Sequence, residues 1–349
     1  MRTKITLSEY KIIKAIPKAL TLKEIADTTG YSLPYVSRKI KQLRFNKAVS
    51  FYFKPDFIRM GLKPTIVILP YKRRVIERFS RNEYIYTLSL SHIANGIDDY
   101  LLVYAVPPAQ YVEEYIYSLP VKPIEYYTDL DTYYWRPDKT KLTIFKKKDL
   151  STNWNKLYSE YDNKRKNVDD ITNRREKVKL DNIDLFILAK LRKNLFTPIS
   201  KIGEMLGISQ QLASYHFRNH VLKVWDHNVV KVLFDVKKVL IKIHKFIFRN
   251  YIDAYAFVNT ISQSPYNVGA FISRNEPQVI WFSRLPCEEE IYFNRILRQQ
   301  MSIFIDEYKF LGFMESDLML RWTIPLNVIS KGKWIFRTVK VPMTSRRYS

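Results

Sequence analysis

Hydrophobic and polar positions along this chain follow the same order of elements twice. Apolar residues at helical spacing predict a first helix at Ile12-Ile13-x-x-Ile16 and again at Ile183-x-x-Phe186-Ile187-x-x-Leu191. Strict alternation at Val49-x-Phe51-x-Phe53 and at Val230-x-Val232-x-Phe234 predicts a strand in each half. The chain therefore contains two similar units, each of which begins with a helix and ends with a strand.

Between these elements, both halves carry a helix-turn-helix motif. The first copy reads Ile25-Ala26-x-x-x-Gly30-x-Ser32-x-x-x-Val36-Ser37-x-x-Ile40, and the second reads Ile202-Gly203-x-x-x-Gly207-x-Ser209-x-x-x-Ala213-Ser214-x-x-Phe217. The small residue allows two helices to cross closely, the glycine accepts a positive φ, and the serine can cap the next helix. Together with the strand, the repeat predicts two winged helix-turn-helix units, each with a recognition helix facing outward.

After each of these units, short apolar runs follow in the order βαββαβ, which is the ferredoxin-like arrangement. We therefore predict an α+β chain in which two winged helix-turn-helix domains alternate with two ferredoxin-like domains. The predicted strands are 65–69, 84–88, 100–105, 124–127, 245–248, 267–273, 279–283 and 302–308, and the predicted helices are 71–79, 109–119, 251–262 and 288–299. The predicted domains are 1–60, 61–145, 180–238 and 239–330, with a charged linker at 146–179 and a basic tail at 331–349.

Motifs in the first half are specific enough to be compared with a known family. They are Ile25-Ala26, Gly30, Ser32 and Val36-Ser37-Arg38-Lys39-Ile40-Lys41-x-Leu43, then Phe57-x-x-Met60-Gly61 at a hinge and Asn95-Gly96-x-Asp98-Asp99-Tyr100 at a turn. They resemble the Lrp/AsnC (feast/famine) family of prokaryotic transcription regulators, and the second half matches more loosely, as in a tandem duplication. The resemblance implies double-stranded DNA as partner, pairing as an internal pseudo-dimer or a homodimer, and room for a small-molecule effector. It also implies a cytoplasmic, nucleoid-associated protein.

The charge of the chain favours a polyanionic partner. Its 58 Lys and Arg exceed its 34 Asp and Glu, which gives a formal net charge of +24. Residues 1–60 contain 13 basic and 4 acidic side chains, so much of the excess lies on the first helix-turn-helix segment. Neutralising phosphates with such cations releases condensed counterions. The single cysteine, Cys287, excludes an intrachain disulfide, and no apolar run is long enough to predict a membrane span.

The outer faces of the two recognition helices supply the candidate DNA-binding residues. Val36, Ile40 and Leu43 fall on one face of the first helix and are expected to be buried, which leaves the opposite face for DNA. Arginine suits guanine or phosphate, and glutamine suits adenine. The predicted contacts are Tyr35, Ser37, Arg38, Lys41 and Arg44 in the first helix, and Gln210, Gln211, Ser214, Tyr215 and Arg218 in the second.

No catalytic, cofactor or metal site is predicted, and the chain is expected not to be an enzyme. His216 and His220 have the i, i+4 spacing of metal ligands, but no neighbouring cysteine or acidic run supplies further ligands in the sequence. Packing or a phosphate contact is therefore the favoured interpretation of the two histidines.

Two other functions use the same domains. Sirohaem decarboxylases of haem biosynthesis carry this pair of domains, and in such an enzyme the basic surface would hold a substrate rich in carboxylates. Tandem winged units also occur in replication or chromatin DNA-binding proteins. The concentration of charge on residues 1–60 favours a sequence-specific transcription regulator over the enzyme. It leaves the replication or chromatin function open, since that function also requires binding to DNA.

Overall fold

The computed structural model describes residues 4–46, 48–139, 141–167, 176–233 and 239–336. Its helices are α1 Leu7–Ala15, α2 Leu22–Thr29, α3 Leu33–Phe45, α4 Arg73–Ser80, α5 Val112–Ser118, α6 Leu157–Lys166, α7 Asn182–Lys193, α8 Ile199–Leu206, α9 Gln210–His216, α10 Tyr251–Ile261 and α11 Cys287–Ile296. Its strands are β1 Val49–Pro55, β2 Thr65–Pro70, β3 Thr87–Asn95, β4 Asp98–Ala105, β5 Glu125–Tyr127, β6 Leu130–Tyr133, β7 Thr143–Lys146, β8 Asp149–Thr152, β9 Trp225–Val232, β10 Ile241–Phe248, β11 Asn267–Ser273, β12 Gln278–Ser283, β13 Ile305–Arg321, β14 Ile329–Ser330 and β15 Lys333–Trp334. The predicted α+β class is confirmed.

Both helix-turn-helix units form as the repeat predicts. Gly30 and Gly207 end α2 and α8 in the left-handed conformation, at φ of 72° and 68°. Gly203 lets α8 cross α9 closely, because an added Cβ would lie 3.2 Å from the Cβ of Ala213. Ser209 caps α9 by accepting the N–H of Leu212, whereas Ser32 begins α3 without a side-chain hydrogen bond. The capping role predicted for Ser32 is therefore wrong.

The two predicted wing strands pair with each other. β1 and β9 form a two-stranded antiparallel sheet, in which Val49 lies opposite Val232 and Phe51 opposite Val230. Each half thus contributes one strand to a shared ribbon, and the described residues form no separate wing hairpin in either half. Phe234, at the end of the predicted strand, lies outside the described residues.

Two ferredoxin-like units form one nine-stranded sheet. Its order is β5-β2-β4-β3-β13-β10-β12-β11-β6, so each unit has the 4-1-3-2 order of its own four strands. The units join where β3 pairs with β13, and β6 extends the far edge by pairing with β11. The predicted strand 84–88 begins later than expected, since residues 84–86 form a turn before β3. The predicted strand 302–308 continues in the structure to Arg321.

The sheet buries different apolar side chains on its two faces. Val67 and Val103 pack in the larger core with Val75 and Phe79 of α4. Ile66 and Leu102, their neighbours along the same strands, belong to a second cluster on the opposite face, as the two-residue period of a strand requires. That second face is turned toward the helix-turn-helix units and forms part of the candidate site.

The segment predicted as a charged linker is largely folded. β7 and β8 form a hairpin, and α6 packs against α10. Tyr161 and Arg165 of α6 both donate to the buried carboxylate of Asp253, at 3.1 and 2.7 Å. The linker interpretation is therefore wrong for 149–166, while residues 168–175 lie outside the described part of the chain.

The beginning of the predicted tail is also packed. Trp334 donates its indole N–H to the carbonyl of Met60 at 2.8 Å, and the tail beyond residue 336 lies outside the described residues. Among the helices that the structure describes, none combines the length and apolarity needed to cross a bilayer.

Candidate functional site

The first recognition helix, α3, has the buried and outer faces that its spacing predicts. Val36, Ile40 and Leu43 are buried, whereas Arg38 and Lys41 are exposed. Tyr35 and Ser37 are half-buried, and the ring of Tyr35 lies 5.4 Å beneath the guanidinium of Arg38. Four of the five predicted residues of α3 thus share an accessible surface; DNA contact by them stays a prediction.

Arg44 does not share that surface. Its guanidinium donates to the Asn194 side-chain oxygen at 2.5 Å and lies 4.5 Å from the centre of the Phe51 ring. Burial lowers its pKa. Arg44 therefore connects the first helix-turn-helix unit to the end of α7 in the second, and the sequence could not show this because the partner lies 150 residues away.

The second recognition helix, α9, also presents most of its predicted residues. Gln210, Gln211, Tyr215 and Arg218 are exposed and Ser214 is half-buried. Ala213 is fully buried, as the motif requires.

The two histidines of this helix lie against Asp184, a residue that the sequence analysis missed. His216 is buried, and both imidazoles have Nδ1 within 3.0 Å of an oxygen of the Asp184 carboxylate. Asp184 lies in the first turn of α7, and only the tertiary fold brings it to α9.

A cavity of about 810 Å³ lies between the helix-turn-helix units and the nine-stranded sheet; we call it the central cavity. The β1–β9 ribbon and α7 form one wall, and the second face of the sheet, with Ile66, Leu102, Phe271 and Phe282, forms the other. Tyr104, Tyr134 and Trp322 add aromatic surface. A volume of this size is in the range of small-molecule sites.

Six cationic side chains line this cavity, and no Asp or Glu is among its described lining residues. They are Lys190, Arg192 and Lys193 of α7, Lys231 of β9, Arg284 just after β12, and Arg321 at the end of β13. Within the described residues, no carboxylate lies within 4.0 Å of Arg192, Lys231 or Arg321. The cavity is therefore strongly electropositive.

Lys231 has the most perturbed environment of these cations. It projects from β9, and its ammonium lies 4.8 Å from the centre of the Tyr134 ring and 5.6 Å from that of Tyr52. Burial, and then the charges of Arg321, Arg284 and Arg192, lower its pKa to about 7. Lys231 can therefore both hold and release a proton near neutral pH.

A smaller cleft of about 490 Å³ has a different charge balance. Its lining includes four acidic residues, Asp56, Asp131, Asp226 and Glu160, and two of its lysines are paired with them, Lys54 with Asp226 at 2.5 Å and Lys141 with Glu160 at 3.4 Å. Since acidic side chains offset part of the positive charge here, the central cavity is the better candidate for an anionic ligand.

The central cavity could not be predicted from the sequence. Lys231 occupies the polar position of the alternating run Val230-x-Val232, where the pattern predicts a side chain that faces solvent. Its neighbours Arg192, Arg284 and Arg321 come from three other elements, and no sequence spacing connects them.

Known proteins resemble this chain in structure and not in sequence. No protein-family model matches the chain, and no curated protein sequence matches it. The siroheme decarboxylase NirDL, solved in co-complex with an iron-uroporphyrin III analogue, is similar over 88% of this chain and 91% of its own, at 12% identity and a TM-score of 0.45. A second NirDL structure gives 13% identity over the same shares, also with a TM-score of 0.45.

Transcription regulators match a smaller part of the chain. The leucine response regulatory protein LrpA of Mycobacterium tuberculosis covers 38% of this chain and 97% of its own at 19% identity, with a TM-score of 0.26. The transcriptional regulator NMB0573 of Neisseria meningitidis, in complex with L-Met, covers 36% and 87% at 19% identity, with a TM-score of 0.25. Each of these regulators thus aligns with less than two fifths of this chain.

The expectation that the chain is not an enzyme is wrong. It rested on the absence of a catalytic motif, whereas the structures that match nearly the whole chain are those of an enzyme. A binding cavity assembled from both halves carries no local motif, so a search for motifs could not exclude catalysis.

Proposed function

We propose that the chain is an enzyme whose substrate is a large polycarboxylate with a flat apolar body, of the tetrapyrrole class, bound in the central cavity. The observation that carries this proposal is the combination of six cations, several aromatic side chains and no described acidic residue around about 810 Å³. Apolar walls match the body of such a ligand, and cations around it match carboxylates at its edge.

The number of the cations and the lack of a glycine-rich loop favour a ligand with several carboxylates over a nucleotide. Lys190, Arg192 and Lys193 lie on α7, Lys231 on the ribbon, and Arg321 at the end of the long strand β13. A nucleotide concentrates its charge at one end and is commonly held by a glycine-rich loop. The chain has only 8 glycines and no such loop motif.

The reaction that fits these residues is decarboxylation. When a carboxylate leaves as carbon dioxide, the electron pair of the broken C–C bond stays on the carbon, which then takes a proton. The ammonium of Lys231, with a pKa of about 7, is suited to donate that proton, because a good proton donor has a pKa near the working pH. The arginines stay protonated and hold the remaining carboxylates.

A titration of the purified full-length chain with sirohaem, and separately with uroporphyrin, tests the proposal. We expect one ligand per chain, seen as a shift of the visible absorption band, with an affinity that decreases as salt rises. A porphyrin with only two carboxylates should bind at least about tenfold more weakly, since it leaves several cations without a partner. Mass spectrometry of the bound sirohaem should show loss of carbon dioxide.

The matched variants are Lys231→Met in the cavity and Lys201→Met on the exposed surface of α8. The first should weaken ligand binding about tenfold or more and stop carbon dioxide release, and the second should change neither. Equal loss in both variants, or no binding by the wild-type chain, would refute the proposed site.

DNA binding is a second candidate function, favoured by the exposed basic side chains of α3. Arg38 and Lys41 face solvent, and neither has a carboxylate within 4.0 Å among the described residues. In contrast, Lys39 on the inner side of α3 is paired with Glu9 at 3.1 Å. The outer face is thus left basic and accessible, as a groove-binding helix requires.

Arg38→Ala should weaken binding to duplex DNA by about 1–3 kcal/mol, measured by filter binding over a range of salt concentrations. Lys231→Met serves as control, since Lys231 lies in the cavity and should not contact DNA. DNA affinity that is independent of salt, or unchanged in Arg38→Ala, would count against this second function.

A further inference from the structure

Three potential metal ligands meet where α7 packs against the second recognition helix. The Nδ1 atom of His216 lies 2.9 Å from one oxygen of Asp184, and the Nδ1 atom of His220 lies 3.0 Å from the other. One donor atom from each of the three residues falls within 4.8 Å of the other two. The imidazole rings are perpendicular, with centres 5.2 Å apart, and both have Nδ1 turned toward the Asp184 carboxylate.

The fold holds these donors in place from both sides. Asp184 belongs to the capping box at the start of α7, where its carboxylate also accepts the N–H of Asp181. The two histidines lie at the junction where α9 changes into the π-helical turn Phe217–Val221. Such turns cost hydrogen-bond geometry and recur at functional sites.

The carboxylates around the two histidines favour a bound cation. Asp184 is completely buried. A second carboxylate, that of Asp181, lies 3.7 Å from His216. Among the described residues, no lysine or arginine lies within 4.0 Å of either carboxylate. A metal ion bound here would place a positive charge beside both carboxylates.

We propose that Asp184, His216 and His220 bind one zinc ion. Tetrahedral zinc with ligands at about 2.0–2.1 Å needs donor atoms about 3.3 Å apart. The Oδ1 atom of Asp184 lies 2.9 Å from Nδ1 of His216 and 3.2 Å from Nδ1 of His220, close to that spacing. The half-exposed Asp181 carboxylate is near enough to become the fourth ligand, and the partly exposed His220 marks the side from which the ion enters. Mixed nitrogen and oxygen donors suit zinc, whereas calcium and magnesium prefer oxygen alone.

The ion would fasten the start of α7 to the second recognition helix. Its role is therefore structural, and its ligands are not among the described residues that line the central cavity. Loss of zinc should lower the melting temperature of the chain, since a ligand that binds only the folded state stabilises it by mass action.

The test uses the full-length chain, stripped with a chelator and titrated with Zn²⁺ against a fluorescent zinc indicator. We expect one zinc per chain and a rise in melting temperature. Co²⁺ in place of Zn²⁺ should give the strong visible absorption of a four-coordinate site. Affinity should decrease at acid pH, because protons compete for the imidazoles.

His220→Gln is the main variant, because its side chain is 28% exposed and its loss should leave the fold intact. It should lower zinc affinity at least about tenfold. The control is His92→Gln, which removes an imidazole that also contacts two carboxylates. Asp99 and Asp317 contact different ring nitrogens of His92, so the three side chains do not direct their donor atoms at one ion. Absence of stoichiometric zinc binding, or equal affinity in wild type and His220→Gln, would overturn the proposal.

Discussion

At the scale of single residues, position in the fold sets the chemistry of the basic side chains. Arg38 and Lys231 are both cations on regular elements, yet one faces water and the other faces three arginines inside a cavity. Removing an ammonium from water and placing it near like charges favours its neutral form. The same residue type therefore serves as a surface charge at one position and as a titrating group at another.

The lowered pKa of Lys231 predicts a pH dependence of ligand binding. Because the cation is lost as pH rises through about 7, affinity for a polycarboxylate should fall about tenfold between pH 6 and pH 8. Lys231→Arg keeps its charge over this range and should flatten the profile. A wild-type profile as flat as that of Lys231→Arg would show that Lys231 does not contact the ligand carboxylates.

Some residues were predictable from sequence because their roles are local. Val36, Ile40 and Leu43 follow helical spacing, and Ser209 caps the helix that it precedes. Arg44, in contrast, has the helical spacing of the predicted DNA contacts Ser37 and Lys41, but its side chain is held by Asn194. A helical pattern shows which way a side chain points, and it does not show what lies there.

At the scale of elements, the two halves are joined by strands. The β1–β9 ribbon connects the helix-turn-helix units, and the β3–β13 pair connects the ferredoxin-like units. Asn228 strengthens the first junction by donating to the carbonyls of Ile16 and Ala19. Each half therefore completes its hydrogen bonding with the other, as subunits do in a two-fold dimer.

Gly312 is a critical position at the second junction. Its φ is +136°, and an added Cβ would lie 2.5 Å from the carbonyl oxygen of Ala94 and 2.7 Å from a methyl group of Ile93. Gly312→Ala should lower the free energy of unfolding by about 2–4 kcal/mol, measured by urea denaturation, through steric overlap and backbone strain.

The matched control for this change is Gly332→Ala. Gly332 also has a positive φ, +71°, but nothing lies within 4 Å of its added Cβ. It should cost only the conformational strain, about 1–2 kcal/mol. If both variants lose the same stability, close packing at the β3–β13 junction is not what requires glycine.

The charged segment before α7 shows a limit of composition at this scale. Residues 146–179 are polar and dense in charge, which favours a solvated linker. In α6, however, Tyr161 and Arg165 share the buried Asp253. Two hydrogen bonds to one buried carboxylate are enough to fix a helix whose composition alone predicts little packing.

At the scale of the whole molecule, the tandem repeat creates a space that neither half contains. The ribbon and α7 lie over the second face of the joined sheet, and the central cavity is what remains between them. All six of its cations come from the second half of the chain, whereas Tyr52, Ile66 and Tyr104 of the first half add apolar and aromatic surface. The enzyme proposal therefore belongs to the assembled chain, while the DNA-binding candidate belongs to the separate helices.

The sequence by itself determined the repeated order of elements, the two helix-turn-helix motifs, the βαββαβ units and the outer faces of α3 and α9. These follow from periodicity and turn chemistry, which act between residues close in the chain. Only the tertiary structure decided that the wing strands pair with each other, that Lys231 meets three arginines, and that Asp184 meets two histidines. Those contacts join residues far apart in sequence, where no local period operates and only the packing of whole elements brings charges together.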